Sequence, residues 1–251
     1  MGPDLRFAHE LADAADAITL SRFRALDLRV ETKADLTPVT EADKAAEQAI
    51  RDLVAARRPG EGVLGEEQGD DGGDVRWIVD PIDGTRNYVR GLPIWATLIA
   101  FEREGRLDAA VVSSPALGRR WWASRGQGAF AGDEANRIHV SAVDRLEDGV
   151  VSTTEWHHMP AGWAELATRA WVSRGFGDFW QHCLVAEGAV DVAAEPSLQI
   201  WDYSAVQLIV EEAGGRCSSF AGTAPTPGGS FLATNGSLHE VAARILTGTD
   251  P

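Results

Sequence analysis

Ala8, Leu11, Ala12, Ala15 and Ile18 recur at helical spacing while Asp13 and Asp16 fall on the other face, which predicts an amphipathic first helix. A second is predicted after Thr40-Glu41-Ala42-Asp43. A threonine followed three residues later by an acid has the form of a capping box, and Ala42, Ala46, Ala49, Leu53 and Val54 share one face behind it. Arg57-Arg58-Pro59-Gly60 stops this helix, and 31–38 between the two helices is a polar stretch. The texture then becomes extended. Val63-Leu64-Gly65-Glu66-Glu67 reads as a short buried strand ending in acids, and Trp77-Ile78-Val79-Asp80 as another, closed by Pro81. Between them, the Gly/Asp-rich 68–74 predicts a mobile loop. Strand-like runs lie at 95–101, 107–114 and 120–123, and Glu104-Gly105 and Arg125-Gly126 supply turns, the pattern of an antiparallel meander. Beyond 141, strands at 150–152 and 190–194 alternate with helical segments near 161–170, 178–187 and 202–213. A last strand at 231–234 precedes a helix starting near Ser237. The reading is an α+β fold with two sheets layered with helices, divided into units 1–140 and 141–251.

The chain's 251 residues are enough to bury a large core, and 44% hydrophobic with 24% charged residues is the balance of a globular protein rather than a disordered one. The 38 acids against 23 Lys plus Arg give a net charge of −15, which repels phosphate backbones and argues against a nucleic-acid partner. An anionic small substrate would need a cation between itself and the protein. The longest apolar run, 92–101, contains a proline and is far short of the roughly 20 residues that span a bilayer, and no signal peptide is evident. Only Cys183 and Cys217 are present, without a Cys-x-x-Cys spacing, which suits a reducing, cytoplasmic compartment.

The most informative stretch is Asp80-Pro81-Ile82-Asp83-Gly84-Thr85. An apolar strand that delivers two carboxylates into a turn is costly unless donors or a cation satisfy them. Hard oxygen ligands, including the Ile82 carbonyl, suit Mg2+ or Mn2+. An Asx turn explains the same spacing, and both readings stand on these residues alone. Asp202, after Trp201, reads equally as a helix cap, and Glu66 as an acid at a strand end. His157 and His158 are adjacent, and side chains at adjacent positions seldom share a face, so they read as exposed polar residues.

In this order, Gly65-Glu66-Glu67, Asp80-Pro81-Ile82-Asp83-Gly84-Thr85, Trp201-Asp202 and Glu212-Ala213-Gly214-Gly215 resemble the inositol monophosphatase superfamily of Mg2+-dependent phosphomonoesterases, over essentially the whole chain. Within it, the sequence is most similar to the bacterial histidinol-phosphatases. That closer resemblance lies in Asp35-Leu36-Thr37-Pro38-Val39-Thr40-Glu41-Ala42-Asp43, Asn87 to Trp95, Gly118-Arg119-Arg120-Trp121-Trp122 and Cys183 to Asp191. The resemblance implies an αβαβα sandwich and a homodimer. It implies that Glu66, Asp80 and the Ile82 carbonyl hold one Mg2+ and that Asp80, Asp83 and Asp202 hold a second, with two to three ions in all. Asp43 and Thr85 would orient the attacking water, with Glu66 beside them, and the Gly84 and Thr85 amides would grip the phosphate. Glu195, with Asp83 and Asp202, would face the leaving alcohol, and Asp178 either joins them or caps the helix that begins before Phe179-Trp180.

Acids on that side favour a cationic alcohol, so histidinol phosphate is the implied substrate, with an inositol or sugar phosphate as the alternative. A metal-binding regulatory protein without catalysis is the rival of another class. An intact Asp43–Thr85 pair argues against it. No side-chain nucleophile is needed for this chemistry, and Cys183 sits in no Cys-x5-Arg loop.

Overall fold

The computed structural model describes residues 1–33 and 36–248. Asp35, the first residue of one motif above, lies outside these. The chain begins with α1 (Pro3–Arg22), a hairpin of β1 (Val30–Thr32) and β2 (Pro38–Thr40), and α2 (Glu41–Arg57). There follow β3 (Gly62–Gly65), β4 (Gly69–Asp70), β5 (Val75–Asp83), the short α3 (Thr85–Arg90), and β6 (Ala96–Arg103), β7 (Arg106–Ser114), β8 (Arg119–Ser124), β9 (Gly128–Ala131) and β10 (Arg137–Ile138). The second half runs β11 (Val150–Ser152), α4 (Gly162–Arg169), β12 (Val172–Arg174), α5 (Asp178–Ala186), β13 (Val192–Leu198), α6 (Ile200–Glu212), β14 (Arg216–Ser218), β15 (Gly229–Thr234) and α7 (His239–Thr247).

β3 to β10 form an eight-stranded sheet in the order β10-β9-β8-β7-β6-β5-β3-β4, antiparallel except where β3 runs parallel to β5. β11 to β15 form a five-stranded sheet, β12-β11-β13-β15-β14. The two-residue period of β5 decides the layering. Trp77 and Val79 face Leu11, Ala15, Ala46 and Ile50 of α1 and α2. Ile78, between them, faces the other way, into a core shared with Phe179 and Cys183 of α5, Val206 and Ile209 of α6, and Ala193 and Phe231 of the second sheet. The far face of that sheet packs Val192 and Leu232 on Trp163 of α4 and Leu246 of α7. The layers are therefore α, β, α, β, α. The change of texture near 141 marks the passage between sheets, and the central core runs across it.

Three local readings are corrected, and one polar stretch acquires strands. The polar 31–38 contributes to a hairpin, Val30↔Thr40 to Thr32↔Pro38. The 68–74 segment is tied down rather than loose: β4 pairs with β3, and Arg51 donates to the Gly69 carbonyl at 2.6 Å and to Asp71 at 2.8 Å. β5 does not stop at Pro81. It bulges after Asp80 and pairs again at Asp83↔Ala96, with Thr97 Oγ1 donating to the Pro81 carbonyl at 2.8 Å. β13 likewise continues past Glu195 through a bulge to Leu198. Among the described residues, no helix is long and apolar enough to cross a membrane.

Candidate active site

The β5 bulge and the first turns of α2, α3, α5 and α6 meet at one place. Asp43 stands in the first turn of α2, Thr85 opens α3, Asp178 opens α5, and Asp202 is the third residue of α6. Helix N-termini carry partial positive charge, so this convergence lets several acids share a small volume. Asp80, Asp83 and Asp202 each offer an oxygen, and the three lie within 4.8 Å of one another.

Each acid also has a structural partner. Asp80 Oδ1 accepts from the Ile82 amide at 2.9 Å, the Asx turn. Asp83 Oδ2 accepts from the Phe179 amide at 2.6 Å, so a residue of β5 caps α5. Asp202 is not the cap of α6 but the far member of its capping box, accepting from the Gln199 amide at 2.7 Å. One carboxylate can serve both purposes, because these bonds engage a single oxygen of each.

The cluster is electrostatically strained. Burial pushes Asp80 and Asp83 well above the usual carboxylate range, reinforced for Asp80 by the charges of Glu66 and Asp83 and for Asp83 by Asp178 and Asp202. Asp202 is pushed up to about 7, by burial first. Among the described residues, no ammonium or guanidinium pairs with these three. An all-oxygen set that is buried at Asp80, half-buried at Asp83 and Asp202 and without a cationic partner fits a hard divalent ion such as Mg2+.

Glu66 stands beside the three aspartates and also pairs with a lysine. Its carboxylate adds to the field on Asp80, but Oε1 accepts from Lys33 Nζ at 2.7 Å, and the same ammonium reaches Glu67 at 2.6 Å. The lysine supplies the positive charge, and Glu66 stands outside the three-carboxylate group. The Ile82 carbonyl accepts from Thr85 Oγ1 at 2.9 Å, and the same hydroxyl is 3.3 Å from Asp43 Oδ1. Asp43 is fully buried; its other oxygen completes the predicted capping box by accepting from the Thr40 amide at 2.8 Å, and burial raises its pKa to about 6. Gly84 has φ 85°, and a Cβ there would lie 2.9 Å from the Ile94 carbonyl oxygen, so only glycine fits the turn that presents its amide and that of Thr85.

A cavity of about 530 Å3 opens from this centre, and Asp83, Asp202, Asp178 and Glu195 all line it. Asp178 accepts from Asn87 Nδ2 at 2.7 Å and is raised to about 6 by burial and the Glu195 charge. Glu195 Oε1 gathers three donors, the Thr154 amide at 2.8 Å, the Thr154 hydroxyl at 2.6 Å and Gln181 Nε2. None of these reaches Oε2. His182 lines the same cavity, and burial holds its imidazole neutral, with a pKa of about 3.

Lys33, Thr154 and Gln181 escaped the sequence reading, as did Glu47, and Asn87 entered it only as part of a motif, without a role. The Glu47 carboxylate is wholly buried and accepts from the amides of Glu67 at 2.8 Å and Gln68 at 3.0 Å and from Arg51. It fixes the backbone that carries Glu66, and Gly65 is required because a Cβ would come within 2.3 Å of it. A signal was present: Asp43, Glu47, Ile50 and Val54 follow the apolar spacing of α2, and an acid there calls for buried donors.

Comparisons with known proteins identify the family. Residues 2–248 match the model of the inositol monophosphatase family. A histidinol-phosphatase of Mycobacterium tuberculosis is 50% identical over 98% of each chain, and one of Streptomyces coelicolor is 51% identical over 94% of each. The structure of an IMPase from Thermotoga maritima superposes with a TM-score of 0.91 at 30% identity, covering 98% of both chains. With its layered sheets, its buried carboxylates and a match over nearly its whole length, the chain belongs to the inositol monophosphatase family.

Proposed function

We propose that this protein is a Mg2+-dependent phosphomonoesterase that hydrolyses L-histidinol phosphate to L-histidinol and inorganic phosphate. The observation that carries the proposal is the gathering of Asp80, Asp83 and Asp202 beside a single cavity whose lining also includes Asp178 and Glu195. In this reading Asp80, Asp83 and Asp202, with Glu66 and the Ile82 carbonyl, hold the ions. Bound there, Mg2+ lowers the pKa of water and neutralises phosphate charge. Thr85 and Asp43 would orient the attacking water, and the Gly84 and Thr85 amides would bind a phosphate oxygen.

Asp178 and Glu195 receive the alcohol. A carboxylate with one oxygen saturated by Thr154 and Gln181 is fixed in place and still accepts through the other. That suits an ammonium or a protonated imidazole, both of which histidinol carries. A neutral polyol would leave these two acids with less compensation for their burial. Residues 1–140 then supply the metal-binding half and 141–251 complete the substrate side. The same reading makes the protein a cytoplasmic homodimer acting in histidine synthesis. The two relatives that are about half identical carry the name of this activity, which supports it.

Phosphate release with Mg2+ from L-histidinol phosphate and from myo-inositol 1-phosphate, at equal concentration, tests the substrate. A clear preference for histidinol phosphate is expected. Equal or reversed preference would transfer the assignment to a polyol phosphatase.

A further inference from the structure

At the mouth of the same cavity, Glu155 and the short 3-10 turn Trp156–His158 form a second cluster whose donor chemistry differs from that of the aspartates. The expectation that adjacent histidines point apart fails here. Their rings lie 4.1 Å apart between centroids, and Glu155 Oε2 is 3.5 Å from His157 Nε2 and 3.0 Å from His158 Nδ1. The three ligand atoms all fall within 4.8 Å of one another. Bonds of about 2.0–2.1 Å in a tetrahedral zinc site place ligand atoms roughly 3.3 Å apart, so the two separations from Glu155 already bracket an edge of such a site.

The other oxygen of Glu155 accepts from Arg86 Nη1 at 2.7 Å, which fixes the carboxylate and leaves Oε2 to the histidines. The side chains are only partly covered, Glu155 at 32%, His157 at 56% and His158 at 63% exposure, so an ion can enter from solvent and keep water as its fourth ligand. Two imidazoles and one carboxylate suit Zn2+ and the other imidazole-binding divalent ions, whereas the all-oxygen aspartate group suits Mg2+.

We propose that Glu155, His157 and His158 form a separate binding site for a transition-metal ion of the Zn2+ class. Nothing in this depends on the identity of the phosphate ester. An ion held there cross-links 155–158. The preceding residue, Thr154, donates both its amide and its hydroxyl to Glu195, so the ion stiffens the cavity wall that holds this acid.

The test titrates Zn2+ into the full chain near neutral pH against a chromophoric chelator, with excess Mg2+ present to occupy the aspartate centre. One zinc per chain is expected for the wild type and for Asp80→Asn. His157→Ala, His158→Ala and Glu155→Gln should each weaken it by at least about tenfold. X-ray absorption at the zinc edge should show two imidazole ligands. Absence of this zinc, unchanged affinity in both histidine variants, or loss of the zinc in Asp80→Asn alone would overturn the proposal. These readouts do not involve turnover, so a failed substrate assignment leaves the result interpretable.

Discussion

Replacing Asp80 by asparagine separates the stability of the fold from the work of the site. Asp80 is 2% exposed, and its oxygen lies within 4.8 Å of those of Asp83 and Asp202. At that separation, two unit charges in an effective dielectric of about 20 repel by about 3.5 kcal/mol. Proton uptake relieves part of this near neutral pH, so removing the Asp80 charge should stabilise the chelator-treated protein by about 2 kcal/mol. For a chain of this size that corresponds to about 4–8 °C in Tm. Asparagine preserves the volume, and its Oδ1 still accepts from the Ile82 amide, so no packing loss competes. With saturating Mg2+ the order inverts, because an ion that binds the folded state stabilises only the chain that holds it. Thermal melts by circular dichroism of both proteins, with chelator and with Mg2+, read the two differences. A variant that melts at or below the wild type in chelator would refute the repulsion on which the metal assignment rests.

The pH dependence follows from the same charges. Burial raises the pKa of Asp202 to about 7 and of Asp43 to about 6, above the unfolded values, so their ionisation opposes folding at high pH and the loss disappears as pH falls through the folded pKa. In chelator, Tm should therefore rise between about pH 8 and pH 6, and a flat or falling profile would contradict the assigned shifts. Glu195→Gln and Asp178→Asn should each raise KM for histidinol phosphate about tenfold, read from initial rates, and unchanged values in both would remove the case for a cationic alcohol. Glu47→Ala strips the acceptor from two backbone amides and Arg51, a loss of about 3 kcal/mol in denaturant titrations. It should also raise the Mg2+ concentration needed for half-maximal activity, since the backbone of Glu66 loses its anchor. Gly84→Ala should lower kcat at least about tenfold, because the new Cβ meets the Ile94 carbonyl at 2.9 Å and displaces the two amides proposed to bind phosphate.

What the sequence made legible was local or periodic. The capping box at Thr40–Asp43, the alternation of Trp77, Ile78 and Val79 between two cores, and the antiparallel meander all follow from short-range pattern. The gathering of Asp80, Asp83 and Asp202 came from motif resemblance, since residues up to 122 positions apart have no local signal of contact. Long-range bonds hid the rest. Lys33 reaches Glu66 from the end of β1, Thr154 and Gln181 converge on Glu195 from different elements, and Asp83 caps a helix nearly a hundred residues away. The two bulges were missed for a related reason. A proline after an apolar run reads as a stop, but Asp83 and Leu198 resume their ladders because the neighbouring strands continue beyond the irregularity. Adjacency misled at His157 and His158, where a tight turn brings both rings to one carboxylate.

The most direct measurement is phosphate release from L-histidinol phosphate by protein stripped with chelator, before and after Mg2+ is returned, with Asp83→Asn and Asp202→Asn in parallel. No turnover by the stripped wild type, full recovery with Mg2+, and none in either variant is the predicted result. Turnover that persists without divalent ions, or survives in both variants, would contradict a reaction built on these buried carboxylates.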